Sequence, residues 1–340
     1  MTRAATVKGT GTVTMTVTAT LLGLMLVGAL GGLMIGYVSY GPGEVLMGLV
    51  GLGDPVVAAI VREVRLPRTL LALEVGAALG LAGAALQGLL RNPLAEPGLI
   101  GVSSSAALGA VIAFHFGLTT WASWALPVTA IAGASVTTVT LLLIGRWLPG
   151  TLPLILTGIA LSSLAGALIS LALNLAPNPY ALNEMVLWLM GSLRDRSMDE
   201  GVLALPFLVV GGVLLLSGAR GLDALTLGEE AARGLGVNMA RLSATIVIGI
   251  ALVVGAAVSV SGAIGFVGLV VPHMLRPFVG HQPRRLLLPS ALGGAALMVV
   301  ADTVARVLPT NQEVMVGVVT ALLGAPFFLA LVLRTRRIGP

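Results

Sequence analysis

Runs of roughly 20 apolar residues with almost no charged side chain recur along this sequence, and that is the length an α-helix needs to cross a bilayer. Only 10% of the 340 residues are charged, whereas a soluble domain carries about 25%. The runs do not alternate apolar and polar residues as membrane β-strands do. The sequence therefore predicts an all-α polytopic membrane protein. Its 45 glycines predict close packing between helices.

We place ten transmembrane helices along the chain. The eighth is short and is expected to be broken by Pro272, and Gly262 and Gly265 leave its border with the seventh open. Neither a linker nor a repeat is visible, so residues 1–340 are predicted to form a single transmembrane domain. The predicted spans are 14–38, 69–90, 98–118, 122–145, 151–175, 200–218, 242–262, 263–279, 285–307 and 314–334.

The basic residues predict the orientation. An even number of spans puts both termini on one side, and the positive-inside bias makes that side the cytoplasm. Basic residues at the two ends, which support this assignment, are Arg3, Lys8, Arg334, Arg336 and Arg337. When successive loops are assigned to alternate sides of the membrane, a smaller basic group lies on the outside: Arg62, Arg65, Arg68, Arg194, Arg196 and Arg306.

The sequence lacks the residues that several kinds of chemistry require. There is no cysteine, so disulfides and thiolate metal sites are excluded. The only lysine is Lys8, and no G-x-x-x-x-G-K-[ST] phosphate loop occurs. His115, His273 and His281 do not have metal-site spacing. We expect no catalytic residue, no metal site and no nucleic-acid partner, and we assign the excess positive charge to membrane lipids and loop topology.

Three acidic residues fall at membrane depth, where ionisable groups are functional candidates by default. They are Glu74, Asp302 and Glu313. Asp302 and Arg306 are four residues apart on one helix and can pair. A structural salt bridge and a functional role for Asp302 remain equally open. A proton-coupled secondary carrier is the alternative that such residues would favour.

The stretch VREVRLPRTL at 61–70 places Arg62, Arg65 and Arg68 on the outside, which the positive-inside bias disfavours. The sequence alone offers two explanations for this exposed basic rim. It steers an acidic partner to the membrane surface, or its arginines contact lipid headgroups.

Longer stretches resemble a known family. They are RLPRTL at 65–70, VGAALGLAGAALQGLLRNPLAEPGLIGVSSSAALGA at 75–110, LGEEAARGLGV at 227–237, GAIGFVGLVVPHMLRPFVGHQPRRLLLPSALGGAALMVVADTVAR at 262–306 and VGVVTALLGAPFFLALVL at 316–333. In order and spacing they are similar to the iron-chelate, haem and cobalamin permeases of bacterial ABC importers, the type II importer permease family. The resemblance implies a homodimer of ten-helix subunits in the bacterial inner membrane, with two ATPase subunits inside and a periplasmic substrate-binding protein outside. It also implies that ATP and Mg bind the ATPase, with no cofactor on this chain.

The resemblance also implies site residues. Arg65, Arg68 and Arg306 match an arginine pocket that receives a glutamate of the binding protein; Arg62 lies outside that motif. Residues 219–241 are punctuated by Gly228, Gly234 and Gly236, which predicts two short helices joined by a glycine turn. The resemblance implies that they are coupling helices that dock in the ATPase. The coupling positions are Leu227, Gly228, Glu229, Glu230, Ala231, Leu235 and Gly236, and the cytoplasmic gate positions are Asn92, Leu94, Thr151 and Leu152.

The chain departs from the family pattern at Ser104, Ser105, Glu74 and Met315, none of which is in the arginine pocket. The cargo is open among haem, ferric siderophores and cobalamin, and haem is favoured. Arg194 and Arg196, in the outer segment 188–200, are candidates for contact with its propionates. The alternative role, which we prefer, is that both arginines form ion pairs with neighbouring acids: Asp195, Asp199 and Glu200.

Overall fold

The computed structural model describes residues 2–122, 124–148, 150–310 and 312–335. These residues form helices joined by turns, without a β-strand among them, which confirms the predicted all-α class. The helices are α1 Thr2–Met34, α2 Pro42–Val50, α3 Pro55–Ala59, α4 Leu66–Leu90, α5 Val102–His115, α6 Ala125–Trp147, α7 Thr151–Asn174, α8 Pro179–Leu189, α9 Met198–Ser217, α10 Ala219–Leu225, α11 Glu229–Gly234, α12 Met239–Ser261, α13 Val267–Val279, α14 Pro283–Val307 and α15 Val316–Thr335.

Ten apolar helices of the described chain follow the order of the ten predicted spans. Seven are long and apolar enough to cross a membrane, namely α1, α4 with its N-terminal extension, α6, α7, α9, α12 and α14. Three are shorter, namely α5, α13 and α15. Arg336 and Arg337 lie outside the described residues, as do the side chains of Arg3, Lys8 and Arg334. The orientation that these residues predict stays a prediction.

Helices α4 and α14 pack backbone against backbone at the centre of the protein. Gly76 and Gly80 lie one turn apart on α4, and a methyl group on either would overlap a backbone carbonyl of α14, at Gly294 and Ser290 respectively. In a bilayer no hydrophobic effect drives helices together, so such small residues allow the close approach that dispersion requires. The predicted tight packing is confirmed at this contact.

The second span is predicted to begin at residue 69, but continuous helix begins earlier, at Pro55. A π-helical turn, Ile60–Arg65, joins α3 to α4 without a break. Pro67 has no N–H, and its ring crowds the carbonyl four residues back. Just before it, the Leu66 N–H donates to the Val61 carbonyl five residues back, which is the hydrogen-bond pattern of a π-helix. The arginines of this segment therefore lie on a helix and not at a loop edge.

Pro272 does not break the eighth span, so that prediction is wrong. Helix α13 continues through it because the unbonded carbonyl finds another donor. Pro272 lacks the N–H that would bond the Gly268 carbonyl, and Nε2 of the buried Gln87 on α4 lies 3.4 Å from that oxygen. The same Nε2 lies 3.3 Å from the Ala95 carbonyl. Gln87 thus ties α4 and the turn after it to α13.

The segment 219–241 forms two short helices separated by a glycine turn, as predicted. Helices α10 and α11 are joined by three residues that end at Gly228, whose φ of 102° lies in the region that favours glycine. The backbone N–H of Arg284 donates to Asp223 at 2.9 Å, which fixes α10 to the start of α14.

Candidate functional site

The three arginines of the predicted docking site come together at one end of the protein. Arg65 and Arg68 flank the start of α4, and Arg306 lies in the last turn of α14. We call these three residues the outer arginine cluster. They line a pocket of about 540 Å³, the outer pocket, together with Arg194 and Arg196. All of the predicted outer-side arginines except Arg62 therefore line one pocket.

The outer arginine cluster is buried, which corrects the expectation of an exposed rim. The residues are 6%, 7% and 6% exposed, in the order Arg65, Arg68 and Arg306. A buried charge must be paired or fully hydrogen-bonded to be tolerated. Each arginine here meets that requirement in a different way.

Arg68 is held by two carboxylates. Its Nε and Nη2 lie 2.9 and 2.8 Å from Oδ1 of Asp302, and Nη2 also donates to the carboxylate of Glu313. Such charge-assisted, multidentate contacts are among the strongest hydrogen bonds in proteins. Two of the three carboxylates that the sequence singled out at membrane depth, Asp302 and Glu313, are thus partners of a docking candidate.

Arg306 keeps part of its donor capacity. Its Nη1 donates to the Gly32 carbonyl at 3.0 Å, and its Nε lies 3.3 Å from Oδ2 of Asp302. The predicted pair of Asp302 with Arg306 is therefore present. That contact lacks hydrogen-bond geometry, and the buried Nε finds no hydrogen-bond partner among the described residues. An incoming acceptor could satisfy it.

Arg65 binds the end of α1. Its guanidinium donates to the carbonyls of Leu33 at 2.7 Å and Met34 at 2.9 Å, and also to Val38. It lies 4.5 Å above the centre of the Tyr40 ring. The last carbonyls of a helix lack internal partners, so Arg65 supplies donors and positive charge where α1 ends.

Arg194 and Arg196 form ion pairs with two of the three acids that the preferred alternative named, and Asp199 forms none with a described residue. Nε of Arg194 lies 3.1 Å from Asp195, and Nη1 of Arg196 lies 3.8 Å from Glu200. Burial lowers the pKa of Arg196 from its ordinary value, against the opposing effect of nearby carboxylates. Both also line the outer pocket. Its lining contains five arginines and three carboxylates, Glu63, Asp195 and Glu313. Asp302 and Glu200, which are not part of the lining, pair with three of these arginines.

The predicted gate residues lie at the opposite end. In the turn after α4, Oδ1 of the exposed Asn92 accepts a hydrogen bond from the Leu94 N–H at 2.9 Å. Thr151 and Leu152 begin α7, with Leu152 exposed. Sequence reasoning missed Glu96, whose Oε1 accepts a hydrogen bond from the Phe266 N–H at 2.5 Å. The only sequence signal was a carboxylate between two prolines in the gate segment.

The predicted coupling residues lie on α11 and its flanking turns. Leu227 and Leu235, before and after the helix, are 68% and 65% exposed. Glu229 forms an ion pair with Arg233 at 3.4 Å. The other coupling positions, Gly228, Glu230, Ala231 and Gly236, belong to the same short surface segment. Two exposed leucines at the ends of a polar helix suit docking into a cleft of another protein.

Glu74 is the third acidic residue at membrane depth. It lies on α4, close to Gly201 of α9, and it is partly buried. Its Oε2 has no hydrogen-bond partner within the described ranges. Unlike Asp302 and Glu313, it is not part of the arginine contacts.

Comparisons with known proteins agree with this architecture. A hemin transport system permease, HmuU of Yersinia pestis, is 43% identical over 278 residues, which are 81% of this chain and 83% of that protein. A vitamin B12 import system permease, BtuC of Salmonella paratyphi A, is 41% identical over 276 residues, 81% of this chain and 84% of that protein.

A solved structure of a metal-chelate type ABC transporter in an inward-facing conformation superposes with a TM-score of 0.84. It is 36% identical in sequence, and the match covers 94% of this chain and 99% of the other. The sequence profile of the FecCD transport family matches residues 24–334. The predicted type II importer permease fold is therefore confirmed, and the chain belongs to the FecCD transport family of ABC transporter permeases.

Proposed function

We propose that this chain is the transmembrane subunit of an ATP-driven importer that moves a bulky iron chelate from the periplasm to the cytoplasm. Haem is the cargo that we favour. The observation that carries the proposal is the family match over residues 24–334. Ferric siderophores and cobalamin are the alternative cargoes, since relatives named for hemin and for vitamin B12 are similar to this chain to nearly the same degree.

The outer arginine cluster receives a glutamate of the substrate-binding protein. Five arginines line the outer pocket, and their donors attract an acidic surface and speed encounter. There the partner carboxylate accepts a hydrogen bond from Arg306, whose Nε pairs with Asp302 but makes no hydrogen bond with a described residue. It also competes with Glu313 for Arg68. Docking is therefore an exchange of one carboxylate for another.

Two ATPase subunits dock at the other end. Each copy of the chain inserts its helix α11 into a cleft of one ATPase through Leu227 and Leu235, and nucleotide-driven closure moves the helix as a rigid body. The gates at Asn92 and Leu94 and at Thr151 and Leu152 then open and close. ATP and Mg are bound by the ATPase, and this chain supplies no cofactor.

A second copy of the chain completes the pathway. The faces of α7 and α15 carry exposed leucines, including Leu164 and Leu171 on the first and Leu322 and Leu329 on the second. In the homodimer these faces line a wide apolar passage on the two-fold axis. Weak contacts along such a passage let a large cargo leave. The dimer lies in the bacterial inner membrane with both termini in the cytoplasm.

The cargo is tested by transport into proteoliposomes that contain the permease, its ATPase and its binding protein. We expect haem to enter in an ATP-dependent way, and a ferric siderophore and cobalamin to serve as matched competitors. Entry of a siderophore or cobalamin without haem would overturn the choice of cargo and leave the importer in place.

A proton-coupled carrier is the second candidate, and Glu74 is the observation that favours it. This carboxyl group at membrane depth lacks a hydrogen-bond partner in the described part of the chain. An uncoupler added to proteoliposomes at constant ATP separates the two functions. Uptake by the importer persists, whereas uptake by a proton-coupled carrier collapses.

A further inference from the structure

A second pocket lies at the end of the protein opposite the outer pocket. It has a volume of about 850 Å³ and is bounded by α6, α7, α11 and α12. We call it the inner pocket. Its walls are mainly aliphatic and include Leu89, Leu141, Leu154, Val247 and Ile248. The volume is in the usual range for small-molecule sites.

The lining of the inner pocket also contains three arginines and a single carboxylate. Arg146, Arg233 and Arg241 are exposed, and Glu229 is paired with Arg233. The guanidinium groups of Arg146 and Arg241 make no hydrogen bond or ion pair with any described residue. The pocket thus combines an apolar interior with unpaired positive charge.

We propose that the inner pocket binds an anionic phospholipid. Its phosphate contacts Arg146 and Arg241, since guanidinium groups match phosphate geometry. Its acyl chain lies along the aliphatic wall, where it removes apolar surface from water. Basic pockets between membrane helices on the cytoplasmic side are the type of site that holds acidic lipid headgroups.

The position of the inner pocket suggests a consequence for coupling. Thr151, a gate residue, and Glu229, a coupling residue, both line it. A bound lipid therefore contacts the start of α7 and helix α11 at once, and it transmits movement of one to the other. This consequence rests on the proposed function, whereas lipid binding itself does not.

Lipid binding is tested on the purified full-length permease in detergent, mixed with equal amounts of phosphatidylglycerol and phosphatidylcholine. Native mass spectrometry measures how much of each lipid stays bound. We expect the wild type to retain phosphatidylglycerol about 30-fold over phosphatidylcholine, because two cation contacts contribute about 1 kcal/mol each. Excess inorganic phosphate should not displace it, because phosphate lacks an acyl chain.

Two double variants separate the pocket from general surface charge. Arg146→Gln with Arg241→Gln should lose the preference for phosphatidylglycerol. Arg220→Gln with Arg284→Gln, exposed arginines of the same end outside the pocket, should keep it. Ala244→Phe, which fills the apolar part, should lower retention of both lipids.

Equal retention of the two lipids by the wild type would overturn the proposal, as would equal losses in both double variants. A pocket variant that keeps its lipid preference but no longer copurifies with the ATPase would show that the pocket docks protein instead. Retention is measured on the permease alone, so failure of cargo uptake leaves this result unchanged.

Discussion

At the scale of single residues, Asp302 organises the outer arginine cluster. It is almost fully buried, and it contacts both Arg68 and Arg306. One carboxylate therefore sets the positions of two docking candidates. Removing one partner of a buried ion pair leaves an uncompensated charge, which costs far more than losing a surface pair.

Asp302→Asn should therefore destabilise the protein by about 3–5 kcal/mol. The neutral amide leaves the two arginines buried with less opposing charge. The measurement is thermal unfolding of the purified permease in detergent. Asp199→Asn, on the exposed first turn of α9, is the matched control and should unfold like the wild type. Equal midpoints for Asp302→Asn and the control would show that Asp302 is not a structural centre.

Glu96 makes stability depend on pH. Burial raises the pKa of this carboxyl group above its ordinary value of 4.5, and the hydrogen bond from the Phe266 N–H opposes part of that rise. The folded protein therefore holds the proton at pH values where the unfolded chain has released it. Stability from this group is greatest below the unfolded pKa and falls as pH rises through the raised folded pKa.

Glu96→Gln keeps the acceptor for Phe266 and removes the titration. We expect its unfolding midpoint to vary less than that of the wild type as pH rises from about 4.5 to 7. At the upper end of that range it should be at least as stable as the wild type. Identical pH profiles for the two proteins, followed by thermal unfolding in detergent, would contradict the assignment.

At the scale of elements, glycines set how closely helices approach. Gly80→Leu places a side chain where the Ser290 carbonyl of α14 now lies. We expect a loss of about 3 kcal/mol or more in unfolding free energy, because overpacking forces the backbones apart. Gly23→Leu is the control, since no neighbouring atom lies within 4 Å of the added carbon. A variant at Gly80 as stable as this control would refute the close contact.

Element order was predictable because hydrophobic length alone identifies a membrane helix. The two short helices of 219–241 were predictable from glycine spacing. Element ends were less so, since they depend on contacts made in the fold. Pro272 is the clear case: sequence reasoning predicts a break, but Gln87, far away in sequence, supplies a donor to the free carbonyl.

The proximity of the three arginines was predictable, whereas their burial was not. Family resemblance named Arg65, Arg68 and Arg306, and the structure brings them together. Their burial could not be read from the sequence, because the partner carboxylate of Arg68 lies 234 residues away. Likewise the unsatisfied Nε of Arg306 depends on the angle of a contact, which no sequence pattern encodes.

At the scale of the whole molecule, the two ends carry different candidate sites. One end holds the outer pocket with its buried, internally paired arginines, and the other end holds the proposed gate and coupling positions and the inner pocket. The central claim is that a partner carboxylate replaces an internal one at the outer arginine cluster. That claim predicts that removing different charges from the pocket changes docking in opposite directions.

The most direct test measures the affinity of the cognate binding protein for the purified wild-type transporter and for two variants of its permease. Glu313→Gln frees Arg68 of its internal competitor, and binding should strengthen about tenfold, which corresponds to about 1.4 kcal/mol. Arg306→Gln removes the unsatisfied donor, and binding should weaken at least about 30-fold. Thermal unfolding checks that both variants are folded. Wild-type affinity in both, or weaker binding by Glu313→Gln, would contradict the account.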